Sequence, residues 1–423
     1  MSKPDADKSP PLSRRFVVVC LTVTAICLGI TYMPLGCMGG AQEGQASAKT
    51  EDAPAAALSL DRWTYLEIDS SKAMWGDFDE PGWLRYFGLA TGDVDGDGDA
   101  DIVTGRNVYL NPGGDLSAAW IKEDLGANVD ANLFSDDGGE PVLYAESLPD
   151  VWRYRRRSDG TYVGDVVAQV PATGHHNGQG YRYTDLDGDG RPEIVYASLG
   201  GVFAVERVGQ RTPWPTHLLA VDASDEGFAV ADVDGDGDAD IVAGFRAPGG
   251  DPEVPTYVSW FENQGTLAAP WPRHHVGRTA EATDRIEAGD LDGDGRADVA
   301  IAEEMYPGLE PNASIYLYFQ RDTGFVREKL VTQYSMNNLD LADVDADGDT
   351  DIVTAEHKGD RLALQIWVND GTGGFSESEI DRGKENHLGA RTVDIDGDGD
   401  LDIVGIGWDQ HQYVHLWRND AIR

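Results

Sequence analysis

Twenty-four carboxylates stand where they could do chemistry. They fall in six short segments, namely Asp93, Asp95, Asp97 and Asp101; Asp185, Asp187, Asp189 and Glu193; Asp232, Asp234, Asp236 and Asp240; Asp290, Asp292, Asp294 and Asp298; Asp343, Asp345, Asp347 and Asp351; and Asp394, Asp396, Asp398 and Asp402. Positions 1, 3, 5 and 9 of every segment are acidic. Glycine holds position 6 throughout and position 4 in five copies, with Ala346 the exception. Alternate carboxylates in a tight turn converge on one point, and glycine permits the positive φ such a turn demands. An all-oxygen donor set suits a hard cation with six to eight ligands, Ca²⁺ before Mg²⁺. The segments are not EF-hands, because the twelfth-position Glu and the flanking helices are missing. The ninth acid instead opens a strand, as Asp240 does before Ile241 and Val242. Without a cation the clustered carboxylates repel one another. Up to six Ca²⁺ ions are expected. Glu193 reaches further than an Asp, and Arg191 and Arg296 at position 7 are compatible with ligation through the backbone carbonyl.

The elements that position these loops follow from their spacing. Successive first acids lie 92, 47, 58, 53 and 51 residues apart. The longest gap has room for two units. Within it, Ser135-Asp136-Asp137-Gly138-Gly139 precedes Val142-Leu143-Tyr144-Ala145, which matches Ile194-Val195-Tyr196-Ala197 of the next copy. This is a seventh unit that has lost most of its ligands. Each unit runs from an apolar alternation (Phe228 to Ala231) through the acidic loop to a β-rich stretch (Ile241 to Gly244). An aromatic strand follows (Tyr257 to Phe261), then a turn such as Asn369 to Gly374, then a fourth strand. Four short strands at a period near 50 define a propeller blade. The last unit stops after its third strand, while Trp63 to Asp69 resembles the fourth strands Phe325 to Leu330 and Phe375 to Asp381. An N-terminal strand is therefore expected to complete the last blade and remove an exposed sheet edge.

The loops resemble those of the FG-GAP/VCBS repeat superfamily, which shares its propeller with the integrin alpha chain. The resemblance extends over most of residues 59–423. It implies an all-β, seven-bladed propeller with Ca²⁺ bound between the first and second strands of a blade. The ligands it implies are Asp93, Asp95, Asp97 and Asp101 and their equivalents in five later blades. It leaves function open, since adhesion receptors, lectins and some polysaccharide lyases share the fold.

A partner is expected on the face opposite the acidic loops, around the mouth of the central channel. The candidate ligand-binding residues there are His176, Tyr181, Arg182, Arg246, Glu303, His357, His387 and Trp408. The leading expectation is a binding or adhesion module for a glycan or an envelope protein. The alternative is a polysaccharide lyase. In that reading Arg182 neutralises a uronate carboxylate while His176 or Tyr181 moves the proton. His217, His274 and His275 fall in fourth strands, far from the axis, and read as structural. Phosphate loops, nucleophile elbows, His-Glu-x-x-His and dinucleotide fingerprints do not occur.

Composition narrows the partners further. The net charge of −42 among 423 residues excludes a phosphate backbone as a natural ligand. All three cysteines, Cys20, Cys27 and Cys37, precede residue 38, so the rest of the chain has no disulfide or thiolate chemistry. Basic residues ahead of the apolar run Phe16 to Met33 read as an export signal or membrane anchor, and Leu35-Gly36-Cys37 resembles a bacterial lipobox. The expected organisation is a signal, lipoprotein signal or anchor over 1–37, a flexible tether over 38–58 and the propeller over 59–423. The expected setting is the cell envelope or the extracellular space. The protein would touch the membrane through the N-terminal segment alone, as a monomer.

Overall fold

The computed structural model describes residues 57–73, 86–136, 139–173, 179–224, 226–245, 256–268, 270–305, 308–387 and 390–422. The chain divides into two units between residues 52 and 53. The expected export segment and almost all of the expected tether lie outside the described residues, as do His176 and Arg246.

The second unit is all-β, with seven sheets of four antiparallel strands arranged as a propeller ring. The inner strands, from blade 1 to blade 7, are Ala90–Gly92, Asp130–Asp136, Tyr181–Thr184, Phe228–Ala231, Ala282–Gly289, Leu339–Ala342 and Arg391–Val393. The acidic loops join six of these to second strands that begin at the ninth acid or just beside it, as in Asp101–Thr104, Glu193–Ser198 and Asp402–Ile406. Blade 2, the unit with the lost ligands, keeps all four strands.

Second strands are buried on both faces, which explains their unbroken apolar runs. Side chains alternate across a strand. Ile194 and Tyr196 pack towards blade 2 with Tyr144 and Trp214, while Val195 and Ala197 pack towards blade 4 with Phe228 and Ile241. Among the described residues seven such apolar clusters occur, one at each junction between neighbouring blades. The junction of blade 7 with blade 1 is among them, where Val404 and Leu416 meet Phe87 and Ile102. Outer strands face solvent and read as polar, as in Gly324–Gln333.

The N-terminal strand Trp63–Asp69 closes blade 7 as expected, pairing Trp63 with Asn419 and Tyr65 with Trp417. A bulge interrupts this pairing between Glu67 and Asp69. Equivalent bulges break the third-to-fourth pairing of blades 2 to 6, for example at Val258/Ser259 and Leu364/Gln365. Such bulges increase local twist. The N-terminal strand therefore reproduces the local geometry of a true fourth strand.

Candidate metal centres and the opposite face

Each acidic loop is built from its own carboxylates. In blade 1, Asp93 Oδ1 accepts the Gly96 and Asp97 N–H groups, and its Oδ2 accepts that of Gly98 at 3.0 Å. Asp97 Oδ1 in turn accepts the Asp99 N–H. The pattern recurs at Asp232, whose carboxylate accepts from Gly235, Asp236 and Gly237. These turns require left-handed backbone at positions 4 and 6. Gly96 and Gly98 have φ of 84° and 99°, and Ala346 adopts 57° despite its Cβ.

The ninth acid has a second task that the sequence does not announce. Asp101 accepts the Val94 N–H at 2.8 Å and the Asn111 N–H at 2.8 Å, joining the loop to the end of the third strand. Asp240, Asp298, Asp351 and Asp402 make the same two bonds. Glu193 keeps the bond to the loop, at Leu186. Burial pushes the carboxyls of Asp101, Glu193 and Asp402 up to about 7, and those of Asp240 and Asp298 up to about 6. Burial raises Asp345 to about 6, and its neighbours Asp351 and Asp347 add to the shift.

The donor set fits a hard cation. Carboxylate oxygens of Asp93, Asp95 and Asp101 lie within 4.8 Å of one another, as do those of Asp185, Asp187 and Glu193, of Asp232, Asp234 and Asp236, and of Asp290, Asp292 and Asp294. In blade 7, Asp394 Oδ1 is buried and accepts no hydrogen bond. A buried carboxylate oxygen with no donor costs free energy that a cation offsets. Two loops already carry a guanidinium. Arg321 bonds Asp292 Oδ2 at 2.5 Å and approaches Asp294 at 3.4 Å, and Arg191 pairs with Asp189.

Among the described residues, latches link the loops of neighbouring blades at four junctions. Asn369 at the end of the third strand of blade 6 donates from Nδ2 to Leu291 O, at position 2 of the blade 5 loop, at 3.0 Å. Asn111 makes the same reach to Ile395 O, Asn263 to Leu186 O, and Gln320 to Val233 O. The N–H of each of these position-2 residues is held by the ninth acid of its own loop. The repeated Asn-x-Gly of residues 111–113, 263–265 and 369–371 signals the turn that Asn Oδ1 nucleates, at Gly113, Gly265 and Gly371. It gives no sign of the bond to the neighbouring blade.

The opposite face separates the remaining candidates into three places. Tyr181 and Arg182 lie at the channel beside a cavity of about 300 Å³ also lined by Glu287, Asp340 and Arg391. Arg182 pairs with Glu287 at 2.6 Å, and Arg391 with Asp340 at 3.0 Å. The Tyr181 hydroxyl accepts the Leu89 N–H of blade 1 at 3.0 Å. Glu303 is buried and accepts the N–H groups of Ala280, Glu281 and Ser314, with burial raising its carboxyl. His357, His387 and Trp408 come together between blades 6 and 7. The rings of His357 and His387 meet edge-on at 4.0 Å, and Trp408 stacks on Phe87 at 4.9 Å. Glu385 binds His357 Nδ1 at 2.7 Å and accepts the Trp408 and Asp409 N–H groups. Burial would raise its carboxyl, but these hydrogen bonds outweigh it and hold the carboxyl low. Burial also pulls His357 down, against its bond to Glu385. His217 and His274, on outer strands as expected, each meet a Glu at 2.8 Å.

A family model for the FG-GAP-like repeat matches residues 185–243 and 343–405. These two stretches run from the blade 3 loop into blade 4 and from the blade 6 loop into blade 7. No curated protein sequence matches the chain. A solved structure described as that of the Dos1 propeller is 9% identical over 79% of this chain and 78% of its own, with a TM-score of 0.40.

Proposed function

We propose that this FG-GAP repeat protein, a seven-bladed propeller, is an exported binding module whose acidic loops hold Ca²⁺. Its partner is a glycan or a cell-envelope protein, engaged on the face opposite those loops. The observation that carries the reading is the recurrence of one convergent carboxylate set, anchored in each loop by a buried ninth acid, along one rim of the ring. Bound Ca²⁺ supplies positive charge that replaces the protons otherwise favoured by the buried ninth acids. The residues that would hold it are the four acids of each loop. Asp101 and its equivalents orient the loop against the third strand, and Asn111, Asn263 and Asn369 pass that order to the preceding blade.

The lyase alternative receives less support. Its arginine has to meet a uronate carboxylate, and Arg182 is already neutralised by Glu287. Its proton carrier Tyr181 has its hydroxyl engaged with the backbone of blade 1. A glycan array and an affinity capture from a cell-envelope fraction, each run with Ca²⁺ and after its removal, test the module. Saturable binding to a glycan or to one envelope protein that disappears without Ca²⁺ is the expected result. Absence of both kinds of partner refutes it.

A further inference from the structure

Where the ring closes, a pocket of about 410 Å³ opens between the N-terminal strand, the connection from blade 6 to blade 7, and blade 7 itself. It lies at the edge of the sheets on the face opposite the acidic loops. We propose that this seam pocket binds one neutral pyranose unit of a glycan. The proposal rests on the binding-module reading and gives it a ligand class and a place.

Aromatic rings form one side of the pocket. Tyr413 stacks on His415 at 5.5 Å with 17° between the planes, and Tyr65 lies 5.8 Å from the same imidazole. The Tyr413 ring, half-buried at the pocket wall, presents apolar area with a polar handle, which suits the C–H face of a pyranose bordered by hydroxyls. His415 is 2% exposed. Its Nδ1 meets the Tyr65 hydroxyl at 2.9 Å, while Nε2 is buried and makes no hydrogen bond. Burial holds the imidazole neutral, with its pKa lowered to about 4. The imidazole therefore backs the Tyr413 ring as an uncharged wall, which suits an uncharged ligand.

The polar lining selects a neutral ligand. The Gln412 amide offers donors and an acceptor, and the Gln410 amide, whose Oε1 accepts the Glu385 N–H at 3.3 Å, offers donors, which match hydroxyls. Lys384 is balanced by Asp381 at 2.8 Å and lies over the Tyr65 ring at 4.2 Å. The carboxylate of Glu67, which also lines the pocket, accepts a hydroxyl and repels a uronate. The volume falls within the usual range for small-ligand sites, about 300–1,000 Å³. Because the walls come from both ends of the ring-forming chain, the site exists only when the N-terminal strand is docked.

The test uses the full chain in Ca²⁺ and saturation-transfer NMR with the methyl pyranosides of glucose, galactose, mannose and N-acetylglucosamine, and with methyl glucuronide. Saturation transfer to at least one neutral pyranoside is expected. Tyr413→Ala should weaken that binding at least tenfold. Gln412→Ala serves as the second variant should Tyr413→Ala lower the melting temperature. Transfer to none of the neutral probes, preference for the glucuronide, or equal binding by wild type and variants overturns the proposal. If glycan-array signals survive unchanged in Tyr413→Ala and Gln412→Ala, the seam pocket falls while the binding module stands. If no glycan or envelope protein binds at all, both fall.

Discussion

Replacing Asn369 by Ala tests the inter-blade latch. The Asn369 amide donates to Leu291 O at 3.0 Å in blade 5 and to Thr350 O at 2.9 Å in its own loop, and Oδ1 accepts the Gly371 N–H at 3.0 Å. Asn369 is 4% exposed and Leu291 is fully buried, so water does not readily replace the lost amide. Three hydrogen bonds at about 1 kcal/mol each, with a buried carbonyl left unmet, amount to about 3–4 kcal/mol. For a domain of this size about 1 kcal/mol moves the melting temperature by roughly 1–2 °C, so the expected fall is about 5 °C. Asn419 is the internal control. It occupies the same place in blade 7 and its Oδ1 accepts the Ala421 N–H at 3.2 Å, but its Nδ2 donates only to Leu401 O, at 3.5 Å, within its own blade. Asn419→Ala should cost about 1 kcal/mol. The assay is differential scanning calorimetry of both variants in saturating Ca²⁺. A fall below 1 °C for Asn369→Ala, or equal falls for the two, refutes the latch.

Three further predictions follow from the loops. Burial raises Asp101, Asp240, Asp298 and Asp402 above the ordinary carboxyl range near 4, so their contribution in metal-stripped protein is fully present below about pH 4 and is lost as pH rises through about 6 to 7. The melting temperature of stripped protein should therefore fall across that window while excess Ca²⁺ removes the fall, and a rise in stripped protein contradicts this. Gly235 has φ of 78° with open space where a Cβ would stand, so Gly235→Ala should cost about 1 kcal/mol through backbone strain alone, whereas Ala346→Gly, at φ 57°, should gain up to about 1 kcal/mol in urea denaturation. Arg321 already serves the blade 5 loop as a counter-cation. Arg321→Ala should enlarge the Ca²⁺-induced rise in melting temperature, and a smaller rise counts against that role.

The repeat made most of the fold legible. Position-specific acids and glycines fix six loops, and the apolar pair matching Ile194 to Ala197 locates the unit that lost its ligands. The missing fourth strand of the last unit pointed to Trp63–Asp69 at the other end of the chain, where blade 7 takes it up. The latch was illegible because it depends on which blade stands next to which. Asn111 and Ile395 lie 284 residues apart and meet only in the closed ring. The same holds for Tyr181 and Arg182. Their sequence context shows an apolar-to-polar strand but not the partners across the channel, Leu89 and Glu287. The seam pocket escaped for a related reason, since Tyr65 and His415 come from opposite ends of the propeller sequence.

The most direct test of a Ca²⁺-stabilised propeller is a melting curve of metal-stripped protein, repeated after Ca²⁺ is restored, with bound metal counted by equilibrium dialysis. A ligand held only by the folded state raises its stability by mass action. The account predicts several bound Ca²⁺ ions and a reversible rise in melting temperature that grows with free Ca²⁺. No bound Ca²⁺ and superimposable melting curves with and without the ion would contradict it.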